Sequence, residues 1–267
     1  MRDPASEKPL HNIEIDKVGI KNLKYPIRVF DKKEAEQHTV ATINMYVALP
    51  HKFRGTHMSR FIEILNKHKD TVAMKNMRLV LLDIIEKFDA HSAHIELKFP
   101  YFIEKSAPVS HEHSLMEYEC QFICSLTQEK KFEFMLGVSV PVATLCPCSK
   151  ELVKKGAHNQ RGKIKVFIKF RGFVWIEDIV KLIEDCASTP LYSLLKREDE
   201  QFVTQHAYDN PVFVEDVARN VANKLNNESA IIWYSVEVES YESIHNHDAY
   251  AFIEKPRILR GMQNNAC

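Results

Sequence analysis

Glycine is scarce in this sequence, seven in 267 residues, and none falls in a GxGxxG or GxxxxGK[ST] pattern. A nucleotide bound here is therefore not gripped by a Rossmann or P-loop turn. Net charge is also lacking, since 36 Lys and Arg balance 36 Asp and Glu. Proteins that coat phosphate backbones carry a basic excess, so non-specific nucleic-acid binding is disfavoured and a polyphosphate partner needs a local basic cluster. No uninterrupted apolar run is long enough to cross a bilayer. The opening MRDPASEKPLHNIEI has no positive segment followed by an apolar one, so it is not read as a signal peptide. The compartment expected is the cytoplasm. There the six cysteines, Cys120, Cys124, Cys146, Cys148, Cys186 and Cys267, stay reduced and serve as core fillers, metal ligands or nucleophiles.

What is present is an ordinary globular composition, 45% hydrophobic and 27% charged, long enough for one large domain or two smaller ones. Residues 1–15 read as a polar lead. HTVATINMYVALP (38–50) is a Thr- and Val-rich strand ended by Pro50. Thr56 is placed to cap a helix over HMSRFIEILNKHKD, and Thr71 a longer one running to about Phe88. Ile95, Leu97 and Phe99 alternate, as do Tyr118, Cys120, Phe122, Cys124 and Leu126, which predicts two half-buried strands. The second half repeats this order. FEFMLGVSVPV (132–142) and KIKVFIKF (163–170) read as strands. A helix from about Trp175 carries Ile176, Ile179, Val180, Ile183 and Cys186 at helical spacing. Another carries Val214, Val217, Ala218, Val221 and Leu225, and IIWYSVEVES and AYAFIE are strands. Strand–strand–helix–helix–strand–strand, twice, predicts an α+β protein of two related units, 16–130 and 131–267.

Three segments concentrate chemistry. In TLCPCSKELVKKGAHNQRGK (144–163), Cys146 and Cys148 flank Pro147, which biases Cys146 away from helix, and His158 lies twelve residues after Cys146. Thiolate and imidazole suit a borderline-soft ion such as zinc. The alternative is that both cysteines are inert small hydrophobes and His158 a loop residue. In LLKREDEQFVTQHAYDNPVFVEDVARN (194–220), KREDEQ reads as a solvated charge run. The helix after it carries Glu215 and Asp216 in its first turns. Glu215 is either a dipole contact or a carboxylate aimed at the N1–H and 2-amino donors of a guanine edge. In SYESIHNHDAY (240–250), Glu242, His245 and His247 crowd one loop between strands. Cys120, Cys124 and Cys186 lie on apolar faces and are read as core, and the HEH at 111–113 as surface. Arg54, His57 and Arg60 either clasp phosphates near a helix start or solubilise it.

Taken together, RGTHMSRF (54–61), LCPCSKE (145–151), GAHNQR (156–161), LLKREDE (194–200), NPVFVED (210–216) and ESIHNHDAYA (242–251) resemble the type IB GTP cyclohydrolases over nearly the whole chain. The resemblance implies tandem tunnelling-fold units, each an antiparallel sheet backed by two helices, with a barrel completed by oligomerisation. It implies a homotetramer with sites at subunit boundaries. It also implies a divalent metal (Zn, Mn or Fe) held by Cys146, His158, Glu200 and His245, with Glu242 a further ligand. Glu215 is implied as the guanine anchor and Cys148 as lining the site near the purine. The implied reaction opens the imidazole ring of GTP and gives 7,8-dihydroneopterin triphosphate and formate. A divalent ion suits that task because it lowers the pKa of water from about 15.7 towards ~7. His247 or Glu242 is expected to transfer protons, with Cys146 and Cys148 in the catalytic set. Arg161, with Arg54, Arg60 or Lys154, is expected to offset the triphosphate. Three rivals stand beside this reading. They are a metal-free purine-nitrile reductase of the same fold with a cysteine nucleophile, a zinc-stabilised binding module, and a catalytically dead scaffold.

Overall fold

A computed structural model describes residues 7–11, 13–51, 53–68 and 76–256. The elements run β1 (Ile15–Asp31), β2 (Ala35–Leu49), α1 (Ser59–Lys67), α2 (Met77–Phe88), β3 (Ser92–Ser106), β4 (His113–Thr127) and β5 (Phe132–Leu145). They continue α3 (Pro147–Leu152), β6 (Asn159–Phe170), α4 (Ile176–Glu184), β7 (Thr189–Pro190), α5 (Arg197–Asp209), α6 (Val214–Asn227), β8 (Ile231–Ser240) and β9 (Ala249–Pro256). Hydrogen-bonded neighbours follow the order β1-β2-β3-β4-β5-β6-β8-β9, with the short β7 on β5, and the β1–β2, β2–β3, β5–β7, β6–β8 and β8–β9 pairs are antiparallel. The chain groups into two compact units, Met1–Pro100 with Cys120–Leu136, and Tyr101–Glu119 with Gly137–Cys267.

In the first unit the apolar alternation does what the sequence pattern predicts. Ile95, Leu97 and Phe99 on β3 and Cys120, Phe122, Cys124 and Leu126 on β4 are buried, as are Ile43, Met45 and Val47 on β2. Burial pushes the Cys124 thiol far up from its ordinary value, so it is an inert core group. Helices α1 and α2 bury Phe61, Ile64, Leu65, Val80, Leu81 and Ile84, each worth roughly 1.5–3 kcal/mol on leaving water. Thr56 does not cap α1. The helix starts at Ser59 with Met58 at its N-cap and no side-chain cap bond. Thr71 lies outside the described residues.

Gly19 on β1 pairs with Tyr46 between two register irregularities of the β1–β2 ladder. A Cβ there would stand 1.9 Å from the Met45 carbonyl oxygen, against backbone that has no rotamer to change. Gly19→Ala is expected to destabilise the fold by about 1–3 kcal/mol, read as a lowered midpoint in thermal or urea unfolding.

In the second unit, Ile164, Val166 and Ile168 of β6 and Val236 and Val238 of β8 are buried on one face. Helix α4 buries Ile176, Ile179, Val180 and Ile183, and α6 buries Val217, Ala218, Val221 and Leu225, while Val214 stays half-exposed in the first turn. The unit also holds a polar cluster. Lys105 donates to Glu184 Oε1 at 2.8 Å and to the Leu191 carbonyl at 2.7 Å, and the Tyr118 hydroxyl donates to the same Glu184 oxygen at 2.7 Å. Burial pushes the Lys105 ammonium below its ordinary value, with Glu184 opposing that shift, and burial together with Glu184 pushes the Tyr118 phenol up.

The KREDEQ run, read from sequence as a solvated charge cluster, opens a thirteen-residue helix, α5. Its buried residues are Asp199 and Ala207. Asp199 accepts from the backbone N–H of Val109 (2.8 Å), Ser110 (2.9 Å) and Lys196 (2.8 Å) and from the Ser110 hydroxyl (2.6 Å). Burial alone would raise its carboxyl pKa, but these four bonds hold it well below the usual carboxylate range. The first turn of α5 is thereby fastened to the β3–β4 connection.

Candidate active site

In the second unit, Cys146, Cys148 and His158 lie around the end of β5. Leu145 is a joint there. Its N–H donates to the buried Ser188 hydroxyl at 3.0 Å, and its carbonyl accepts from Val212 N–H at 3.1 Å. The last residue of β5 is thus tied to the α4–α5 connection and to the segment entering α6. Cys146 follows in an extended conformation (φ −70, ψ 120) as the N-cap of α3, with Pro147 in the first turn. Proline suits that position because its missing N–H would have no helical partner. The Cys146 thiol accepts from Ser149 N–H at 3.5 Å, so the sulfur is held in place and half-buried, while Cys148 is exposed.

The chain then returns. Gly156 turns with φ +83, a conformation L side chains rarely adopt. His158 comes back against α3 through two bonds. Cys146 N–H donates to the His158 carbonyl at 3.2 Å, and His158 N–H donates to the Ser149 hydroxyl at 3.1 Å. Two residues into β6, Gln160 bridges onward. Its Oε1 lies 3.0 Å from His158 Nδ1, and its amide nitrogen donates to Glu242 Oε1 at 3.3 Å. Tyr241 N–H donates to the Arg161 carbonyl at 2.9 Å, continuing the β6–β8 pairing into the loop. Cys146, His158 and Glu242 are thereby joined in one hydrogen-bonded chain. His245 and His247 occupy the exposed loop after Glu242 with their rings stacked at 5.3 Å and 10°.

Glu200 lies on α5 immediately after the anchored Asp199, with its side chain exposed. Glu215 is exposed in the first turn of α6, and its neighbour Asp216 pairs with Arg219 at 3.2 Å. Arg161 lines a shallow cavity of about 270 Å³ with Glu117, Glu119, Ser139, Lys163 and Tyr241. Arg54 and Arg60 belong to the first unit. There Arg54 pairs with Glu7 at 3.4 Å, and Arg60 donates to the Lys87 carbonyl at 3.4 Å while lying 5.9 Å from the Phe88 ring centre.

The donor types fit a divalent ion of borderline softness, since a thiol, an imidazole and a carboxylate (Cys146, His158 and Glu242) are linked through Ser149 and Gln160. They fit by chemistry and not as a closed cage. Among the described residues, no three His, Cys, Asp or Glu side chains stand together close enough to hold a metal. Sequence reasoning missed Ser188, Asp199 and Gln160. Gln160 sits inside the quoted GAHNQR block but carries no spacing signal of its own. The only hint at Asp199 is its place three residues after the helix N-cap, where carboxylates bind backbone donors.

The architecture and sequence both match known proteins. Solved structures of uricase from Arthrobacter globiformis (TM-score 0.53, 9% identical, 94% of this chain and 96% of that one) and urate oxidase from Bacillus subtilis 168 (0.53, 7%, 90% and 98%) share the fold. This is the tunnelling fold, and at such low identity the likeness concerns the fold alone. Proteins described as GTP cyclohydrolase FolE2 are similar over nearly their whole length. That of Geotalea uraniireducens is 55% identical over 99% of this chain and 97% of its own. That of Syntrophotalea carbinolica is 54% identical over 96% of each, and that of Kosmotoga olearia 53% over 97% and 100%. The name these matches carry is FolE2, which replaces the type IB label of the sequence resemblance. The model of the type I GTP cyclohydrolase folE2 family matches residues 1–251, and the chain belongs to that family.

Proposed function

We propose that this protein is a GTP cyclohydrolase I. It hydrolytically opens the guanine imidazole ring of GTP and yields 7,8-dihydroneopterin triphosphate and formate, the first step of folate-type pterin biosynthesis. The observation that carries the reading is family membership across the chain, joined to a chemistry-bearing cluster in the second unit where Cys146, His158 and Glu242 are linked through Ser149 and Gln160.

Cys146, His158, Glu200 and His245, with Glu242 alongside, would hold one divalent ion, which when bound would supply Lewis-acid and water-activating chemistry. The remaining steps belong to the chain's own groups. Glu215 accepts hydrogen bonds from the N1–H and 2-amino group of guanine and fixes the ring in register. Glu242 and His247 hold or release protons at the ring nitrogens as the C8–N9 bond opens, a role suited to a carboxylate and imidazoles on an accessible loop. Cys148, exposed beside Cys146, contacts the purine. Arg161 faces the triphosphate, assisted by Arg54, Arg60 or Lys154 of this chain or of a second copy. Zinc, manganese and iron all suit this donor set.

The assembly proposed is a cytoplasmic homotetramer with sites at subunit boundaries. One feature supports it: β1 and β9 stand at the two ends of the strand order, where another sheet can add. Among the described residues, no helix is long and apolar enough to cross a membrane.

Substituting the ligands tests the metal reading. Cys146→Ala and Glu200→Ala are each expected to weaken binding of added Mn²⁺ or Zn²⁺ by at least about tenfold in equilibrium dialysis. Turnover of GTP is expected to be abolished while the melting temperature of the metal-free protein is kept. Full metal affinity and turnover in both variants would favour the metal-free reductase chemistry.

A further inference from the structure

We propose that Gln160 is a positioning residue that sets the tautomer of His158 and holds Glu242 beside it. The proposal rests on the reading of His158 and Glu242 as ligands and adds a residue to which no role has been given. The Gln160 NH₂ group donates to Glu242 Oε1 at 3.3 Å. That fixes the other face. The Gln160 carbonyl oxygen must then be the atom 3.0 Å from His158 Nδ1. A carbonyl oxygen cannot donate, so Nδ1 must carry the proton. In a neutral imidazole with Nδ1 protonated, Nε2 carries the lone pair, and a ligating nitrogen needs that lone pair.

The surrounding backbone leaves the arrangement little freedom. His158 is pinned on both sides of its own peptide, by Cys146 N–H on its carbonyl and by the Ser149 hydroxyl under its N–H. Gln160 lies on β6, whose pairing with β8 runs Gly162 against Ser240, and the Tyr241 N–H to Arg161 carbonyl bond carries that register outward. One further step along the antiparallel ladder sets Gln160 opposite Glu242. A histidine from the β5–β6 return and a carboxylate from the β8–β9 loop are thus ordered by one amide. Outer partners of this type typically change metal affinity 10–100-fold when removed. A merely structural reading, in which the amide ties two loop ends together, moves stability and leaves the tautomer indifferent.

The test uses the full chain labelled with ¹⁵N-histidine and stripped of metal with chelator, at about pH 8. Long-range ¹H–¹⁵N correlation reads the tautomer, with His158→Ala identifying the signal. The expected result is His158 protonated at Nδ1 in the wild type and shifted towards the Nε2–H form in Gln160→Leu. Gln160→Leu is also expected to bind Mn²⁺ about 10–100-fold more weakly, at an unchanged melting temperature. Gln160→Glu still accepts from Nδ1–H and is expected to keep the wild-type tautomer. Wild-type His158 in the Nε2–H form overturns the proposal. So does Gln160→Leu with unchanged tautomer and affinity, or with an affinity loss that follows a fall in melting temperature. The tautomer is read without metal, so failure of the wild type to bind Mn²⁺ contradicts the metal reading and leaves the Gln160 assignment to be decided by the spectrum.

Discussion

Glu215→Gln is expected to lower kcat/KM for GTP by about 10²–10⁴ while leaving the fold intact. Each charge-assisted hydrogen bond contributes about 1.5–3 kcal/mol, and two of them from a carboxylate to the guanine N1–H and 2-amino group give roughly 3–6 kcal/mol. At about 1.4 kcal/mol per decade that is two to four decades. Glutamine is nearly isosteric but turns an NH₂ donor towards a substrate edge that is itself a donor. The side chain is exposed in the first turn of α6, so its loss from the folded chain removes only a dipole contact of about 0.3–1 kcal/mol. Inosine triphosphate, which lacks the 2-amino group, provides the control. The preference of the wild type for GTP over it should shrink at least about tenfold in the variant. An unchanged preference would reduce Glu215 to a helix-dipole residue.

The second large effect is on stability. Glu184→Ala leaves the Lys105 ammonium among the same buried neighbours with the Leu191 carbonyl and the Tyr192 ring, 4.5 Å away, but no counter-charge. It also strips the buried Tyr118 hydroxyl of its acceptor. Both partners of the ion pair are largely shielded, with side chains 12% and 11% exposed, so water cannot replace the lost carboxylate. Removing one member of such a pair costs about 3–5 kcal/mol. At 2–4 °C per kcal/mol for a unit of this size, the midpoint of thermal unfolding should fall by roughly 10 °C. Replacing both charges, as Lys105→Met with Glu184→Leu, should recover the part of the loss that comes from the unpaired ammonium, because an apolar pair avoids the desolvation cost of the ion pair, while the Tyr118 hydroxyl still lacks its acceptor. A single variant that melts with the wild type would show that the Lys105 charge is hydrated in solution.

The fold was legible wherever an element buries an apolar stripe of clean period. Ile95, Leu97 and Phe99, and the α4 set Ile176, Ile179, Val180 and Ile183, are buried as their spacing predicts. Helix α5 was not legible. Its buried positions are Asp199 and Ala207, so no apolar period exists to find, and a charge run that folds around one buried carboxylate looks like a solvated surface. Helix α3 is six residues and leaves no such trace either. At the site, the Cys146–His158 spacing and the crowded Glu242–His247 loop stand out in the sequence. The link between them does not. It depends on a residue 82 positions from its partner, and strand register is set by the turns and packing of the whole sheet. The ligand role expected of Glu200 came from resemblance alone, since nothing in its charge run separates a ligand from a surface group.

This chain is expected to hydrolyse GTP with release of C8 as formate. The most direct measurement incubates the purified protein with GTP after chelation and after add-back of Mn²⁺ or Zn²⁺, following formate and pterin fluorescence together. The expected result is little product after chelation and, with metal restored, formate appearing in step with GTP loss and a fluorescent pterin. A folded protein that releases no formate with any divalent ion would contradict the account.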